Sequence, residues 1–167
     1  MAFLTPDAFA QRLADVDIGM FERWGVRGLV VDLDNTLVPW NSREVTPDGD
    51  AWLRSVQKAG IKVCLLTNNY SSAARAIADD FGVSSIAGAL KPSPWAFRGA
   101  LRALGVTAKQ AAVVGDQIFT DVLGGKLVGM RAVLVRPLGA AEFPTTKVIR
   151  LLERPLLERL RRSGHVT

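Results

Sequence analysis

From residue 28 onward, short runs of apolar, often β-branched residues alternate with stretches in which apolar positions recur every three or four residues. Residues 28–33 (GLVVDL) read as a strand covered on both faces, because a continuous apolar run leaves no polar face for water. The same pattern predicts strands at 61–66, 84–88, 111–115 and 131–135. Between them lie helical periods: 47–59 closed by Gly60, a stretch capped by Ser71 or Ser72 and running to Asp80 before Gly82, 94–104 closed by Gly105, and 118–128. Residues 5–20 predict one further helix and a connection ahead of the first strand.

Five strands separated by helices of about ten residues predict an α/β domain, a parallel sheet with helices on both faces and right-handed crossovers. The whole chain, 1–167, reads as one domain, with a core at 4–137 and a separate helical segment at 145–162. Pro155 interrupts that segment, since it removes the hydrogen bond to the carbonyl of Leu151, so a kink or two short helices are expected.

In an open parallel sheet, ligands sit beyond the carboxyl ends of the strands. Those ends here carry Asp32-Leu33-Asp34-Asn35-Thr36, then Thr67-Asn68-Asn69, then Lys91-Pro92, then Gly115-Asp116 with Asp121 five residues on. Carboxylates, a lysine and a hydroxyl on one rim are the makings of a site for Mg²⁺ and a phosphate. Mg²⁺ takes about six oxygen ligands and keeps some of its waters, so two carboxylates, a carbonyl and a phosphate oxygen suffice. Lys91 and the Thr67 hydroxyl supply the charge and the directed donor that phosphoryl oxygens need. The Asp-x-Asp spacing suits a nucleophile with a separate acid/base two residues away.

Composition narrows the chemistry. The chain has 167 residues, one cysteine (Cys64) and one histidine (His165), so an internal disulfide, a cysteine zinc cage and any multi-histidine centre are excluded by count. No apolar run approaches the roughly 20 residues that cross a bilayer, and the first residues have no basic region of a secretory leader, so a cytoplasmic protein is expected. The net charge of +5 is uneven: residues 1–125 hold 12 Lys and Arg against 13 Asp and Glu, residues 126–167 hold 9 against 3. Such a distribution is not that of a general nucleic-acid binder and points instead to an acidic partner of the last segment.

The set Asp32-Leu33-Asp34-Asn35-Thr36-Leu37, Leu66-Thr67-Asn68-Asn69, Lys91-Pro92 and Val114-Gly115-Asp116-Gln117-Ile118-Phe119-Thr120-Asp121 resembles the four signature motifs of the haloacid dehalogenase (HAD) superfamily. It is nearest to the subfamily IIIA phosphatases of the YqeG type, a group itself similar to the mitochondrial phosphatidylglycerophosphate phosphatase. Leu4-Thr5-Pro6-Asp7 and residues 28–40 share the likeness. The resemblance implies a three-layer, Rossmann-like fold and a Mg²⁺-dependent phosphatase working through an aspartyl-phosphate. By that likeness Asp32 is the nucleophile and a metal ligand, and Asp34 is the general acid and then base, lending its backbone carbonyl to the metal. Thr67, Asn68 and Lys91 hold the phosphate, Asp116 is a further metal ligand, and Asp121 supports the metal's waters. Gly124-Gly125-Lys126 departs from the pattern, with lysine where asparagine is expected.

Neither the interval from Asp34 to Thr67 nor that from Thr67 to Lys91 has room for an inserted cap domain. An open site suits a phosphate carried on something large, such as a lipid headgroup or a macromolecule, although oligomerisation can also shield an uncapped site. Phosphatidylglycerophosphate is the expected substrate; phosphoproteins, nucleotides and sugar phosphates are the alternatives, with a non-catalytic phospho-aspartate signalling module as a different class. Two features favour a surface. Trp40 follows the first motif, where it lies beside the mouth or packs inward, and Val148, Leu152, Leu156 and Leu160 alternate with Arg150, Arg154, Arg159, Arg161 and Arg162. That second pattern fits either peripheral contact with an anionic membrane or a last helix packed on the core.

Overall fold

The computed structural model describes residues 2–40, 42–70 and 72–139. The basic segment 145–162, His165 and the candidate cap Ser71 lie outside the described residues.

Six strands form one wholly parallel sheet: β1 (Ala8–Ala10), β2 (Gly28–Asp32), β3 (Lys62–Leu66), β4 (Ser84–Ile86), β5 (Ala111–Gly115) and β6 (Arg131–Val135), in the order β1-β6-β5-β2-β3-β4. The expected five strands are all present, with the one foreseen at 84–88 stopping at Ile86. The sixth corrects the expectation of a helix over 5–20. That stretch contains β1, a 3₁₀ turn at Leu13–Asp15 and the short helix α1 (Ile18–Arg23). Ala-Phe-Ala is too short to show a strand period; its position comes from Asp7, whose N–H donates to the Ala132 carbonyl (2.7 Å) and whose carboxylate accepts from the Ala132 N–H (2.7 Å).

The helices α2 (Pro47–Lys58), α3 (Ala73–Phe81), α4 (Pro94–Leu104) and α5 (Leu123–Leu127) cover the sheet. Thr46 caps α2 by accepting from the Gly49 N–H at 3.1 Å, with Pro47 in the first turn. At α3 the cap position falls on Ser72, whose side chain makes no capping bond. The helix expected over 118–128 is wound differently: Ile118–Val122 form a π-helical turn, and the α-helix begins only at Leu123.

Strand alternation sorts the core into two layers. Leu29, Val31, Val63, Leu65, Ala112 and Val114 pack with Phe21, Trp52, Leu53, Val56 and Ile77 on one face. Val30, Cys64, Leu66, Val113 and Ala132 pack with Phe97, Ala100, Leu104, Ile118 and Val122 on the other. Asp32 shares the parity of Val30, so at the end of β2 its carboxylate points toward the layer that contains α4 and the π-turn. Gly124 lies so close to the Phe97 ring that a Cβ could not fit, which seats α5 against α4.

Lys126, the departure from the family pattern, is not at the rim of the sheet. Its ammonium pairs with Asp7 at 2.6 Å, and Arg131 reaches the same carboxylate at 3.1 Å. The lysine therefore ties down β1. Burial pushes the Asp7 carboxyl upward, but the hydrogen bonds from Lys126, Ala132 and Arg131 and the charge of Lys126 outweigh it and hold the group below the usual aspartate range. Its contribution to stability is thus complete at neutral pH and is lost as the pH falls through that lowered value. Asp7→Asn is expected to cost roughly 1 kcal/mol at pH 7, and the gap from wild type should close on acidification. Thermal melts across pH check this; a gap that stays constant into acid contradicts it.

Candidate active site

The residues named from the strand ends meet at the carboxyl edge of β2, β3 and β5. The chain leaves β2 through a tight turn in which the Leu37 and Val38 N–H groups donate to the Leu33 carbonyl at 3.0 Å, and Asn35 takes a left-handed φ of 62°. Asparagine tolerates that conformation, because its short amide can bond locally. The turn leaves Asp32 buried and Asp34 half-buried above it.

Asp32, Asp116 and Asp121 are all buried, and each offers a carboxylate oxygen lying within 4.8 Å of the others. The Lys91 ammonium, also buried, donates to Asp32 Oδ1 and, at 2.7 Å, to Asp121 Oδ1. The Thr36 hydroxyl donates to Asp32 Oδ2 at 3.0 Å. Asp121 Oδ2 accepts the Gln117 N–H at 3.2 Å across the π-turn. A Cβ on Gly115 would collide with the Asp121 carboxylate, so only glycine at the end of β5 leaves this carboxylate room over the sheet. Asp34 turns elsewhere: the Thr67 hydroxyl donates to its Oδ2 at 2.6 Å while accepting the Asn69 N–H at 3.0 Å.

Burial dominates the electrostatics of Asp32 and pushes its carboxyl well above the usual range; Lys91 opposes the rise, and Asp121 and Asp116 add to it. Burial alone would lower Lys91, yet the charges and hydrogen bonds of Asp121 and Asp32 outweigh it, so the lysine stays a cation. One ammonium faces three carboxylates. This oxygen-only donor set, short of positive charge, fits a hard divalent cation.

All the residues expected in the site are thus near one another, but details of their partnership were not foreseen, among them the Thr67 hydroxyl bonded to Asp34. Asn68 is engaged with the chain around Lys91: its Oδ1 accepts the Lys91 N–H at 2.6 Å and its Nδ2 donates to the Lys91 carbonyl at 3.4 Å. Thr36, quoted within the first motif without a role, is bonded to Asp32; its spacing of four residues across a turn is the signal that could have found it. Trp40 is half-buried, and its N–H donates to Asn35 Oδ1 at 3.2 Å.

A model of the haloacid dehalogenase-like hydrolase family matches residues 40–129. The protein described as probable phosphatase YqeG of Bacillus subtilis (strain 168) is 34% identical over 164 residues, which cover 98% of this chain and 95% of that protein. Phosphatidylglycerophosphate phosphatase 1, chloroplastic/mitochondrial, of Arabidopsis thaliana is 28% identical over 172 residues, covering 97% of this chain and 49% of that protein, about half its length. Among solved structures, NagD from E. coli K-12 shares the fold, with a TM-score of 0.57 at 16% identity over 70% of this chain and 90% of that one.

Removing one partner from a buried ionic cluster leaves the others uncompensated. Lys91→Met is expected to destabilise the fold by about 3 kcal/mol at neutral pH, read from urea unfolding. A variant as stable as wild type would show that Lys91 does not hold the carboxylates together.

Proposed function

The chain belongs to the haloacid dehalogenase-like hydrolases and is a phosphatase, and from that premise we propose that it hydrolyses the phosphomonoester of phosphatidylglycerophosphate with Mg²⁺ as cofactor. The observation that carries the reading is the convergence of Asp32, Asp116, Asp121 and Lys91 beneath Asp34 and Thr67. The likeness to the Arabidopsis enzyme over almost the whole of this chain supports the lipid substrate.

Asp32 and Asp116 would hold the metal together with the Asp34 backbone carbonyl, with Asp121 beside them to support the metal's waters. When bound, Mg²⁺ supplies the positive charge that lets a phosphate dianion approach this acidic floor. An Asp32 oxygen attacks phosphorus as the bond from phosphorus to the glycerol oxygen breaks, and Asp34 gives its proton to the departing oxygen. Asp34, now a carboxylate, takes a proton from the water that adds to phosphorus; the bond to Asp32 breaks, and inorganic phosphate leaves. Lys91 orients Asp32 and offsets charge on the phosphoryl oxygens, and the Thr67 hydroxyl fixes the Asp34 carboxyl between the two steps.

We further infer an uncapped catalytic unit. Asp34 to Thr67 contains a loop, α2 and β3, and Thr67 to Lys91 contains α3 and β4. Neither interval holds a second domain over the site, which suits a phosphate presented on a large carrier.

Two measurements test the reading. Phosphate release should be fastest from phosphatidylglycerophosphate in a panel with sugar, nucleotide and peptide phosphates. It should stop with EDTA and fall on the order of 10⁴-fold or more in Asp32→Asn. A sugar or nucleotide phosphate turned over faster would replace the substrate, and an active Asp32→Asn would remove the nucleophile. Separately, Mg²⁺ at about 100 times its dissociation constant should stabilise the wild type by about 2.7 kcal/mol in thermal melts, and Asp116→Asn should lose most of that gain.

A further inference from the structure

Four of the six large hydrophobic side chains most exposed among the described residues stand at the carboxyl edge of the sheet, Tyr70, Leu90 and Leu138 on loops and Trp95 in the first turn of α4. Tyr70 is 77% exposed, Trp95 73%, Leu90 67% and Leu138 40%. Tyr70 and Leu90 belong to the two loops that supply Thr67, Asn68 and Lys91. Those loops are joined by the Gly88 N–H to the Asn69 carbonyl (3.1 Å), the Ala89 N–H to the Thr67 carbonyl (3.0 Å) and the Asn68–Lys91 bonds. The Tyr70 ring lies against Gly88, where no Cβ could be accommodated. Leu138 closes the rim from the other side, its N–H donating to the Asn35 carbonyl at 2.8 Å.

Leu90 adds backbone strain to its exposure. It has a φ of 53°, a left-handed conformation that is unfavourable for leucine, immediately before Lys91. Glycine or asparagine would meet that backbone need without presenting an apolar side chain to water.

The segment that carries Leu90 and Trp95 has charge of one sign. From residue 81 to residue 115 the chain has no Asp or Glu, while Arg98 is exposed on α4, with Arg102 in its last turn. The Arg98 guanidinium sits 5.6 Å from the centre of the Trp95 ring. Along α3, Arg75 lies in the first turn near the rim, and Asp79 and Asp80 lie at the far end. Exposed tryptophan, tyrosine and leucine set among arginines are the residues of a membrane interface: the rings sit at headgroup depth and the guanidiniums meet anionic phosphates.

We propose that Tyr70, Leu90 and Trp95, with Arg98 beside them, form a docking surface that seats the open site on a bilayer carrying anionic phospholipid. The proposal rests on the lipid-phosphate reading for the chemistry of its occupant, and it assigns the contact to the rim of the site rather than to the basic segment beyond residue 139. A bilayer met through this rim leaves a headgroup phosphate facing Lys91 without the lipid leaving the membrane.

The full chain is sedimented with phosphatidylcholine vesicles, with and without about one-third phosphatidylglycerol. Wild type should partition onto the anionic vesicles, and the double variant Leu90→Ser/Trp95→Ser about tenfold less, the factor expected when large apolar side chains no longer enter the interface. Arg98→Glu should weaken binding to the anionic vesicles alone; thermal melts confirm that each variant folds. Equal binding of the double variant and wild type overturns the proposal. So does a wild type that binds neither vesicle, which would leave the rim to a protein partner. Turnover of phosphatidylglycerophosphate in detergent micelles separates this result from the substrate assignment. Rim-dependent binding without micellar turnover keeps the docking surface and removes the substrate; micellar turnover with rim-independent binding does the reverse.

Discussion

The buried ammonium of Lys91, shared between Asp32 and Asp121, is the interaction on which the site depends. Three carboxylates brought out of water within 4.8 Å of one another repel each other and lose their hydration. A single ammonium of similar burial, bonded to two of them, makes the arrangement tolerable. Lys91 comes from no strand, so its position has to be secured by other means. Asn68 provides them, clasping the backbone N–H and carbonyl of Lys91 from the loop that follows β3. The same loop presents Thr67 to Asp34. Lys91 and Asp34 are therefore fixed relative to each other through one hydrogen-bonded pair of loops.

Much of this was legible in the sequence, for a topological reason. A parallel sheet covered on both faces leaves polar side chains a place at its carboxyl rim, so Asp32, Thr67 and Asp116 declare themselves by ending apolar runs. The partners of each atom were not legible. Asn68 follows Thr67 and resembles a phosphate ligand, but its amide is taken up by the Lys91 backbone, a contact between loops 23 residues apart. Gly115 reads as the last residue of a strand, whereas its missing side chain is what admits the Asp121 carboxylate. The π-turn at Ile118–Val122 has the composition of an ordinary helix, and nothing in its apolar spacing marks the change of winding. β1 escaped for another reason: three residues cannot display a period, and the bonds that recruit it run from Asp7 to a strand more than 120 residues away.

Lys126 shows what a departure from a family pattern does in the fold. It stands beside two glycines and close in sequence to Asp121. The glycines allow α5 to lie against Phe97 and Val113, and that packing aims the lysine at Asp7. The change therefore acts on how the edge strand is held.

The division between floor and rim bears on selectivity. The side chains of Asp32, Asp121 and Lys91 are committed to one another, Thr36 to Asp32 and Asn68 to the Lys91 loop, a set suited to a phosphomonoester whatever carries it. What distinguishes one carrier from another must then be read above Asp34, where the described chain presents Tyr70, Leu90, Trp95 and Leu138 with arginines and no acid on α4. Polar sugars would leave these rings and aliphatic chains facing water. A glycerol phosphate anchored in hydrocarbon would cover them. On the proposed reading, selectivity then comes from the surface on which the phosphate is displayed, while the reacting centre stays generic.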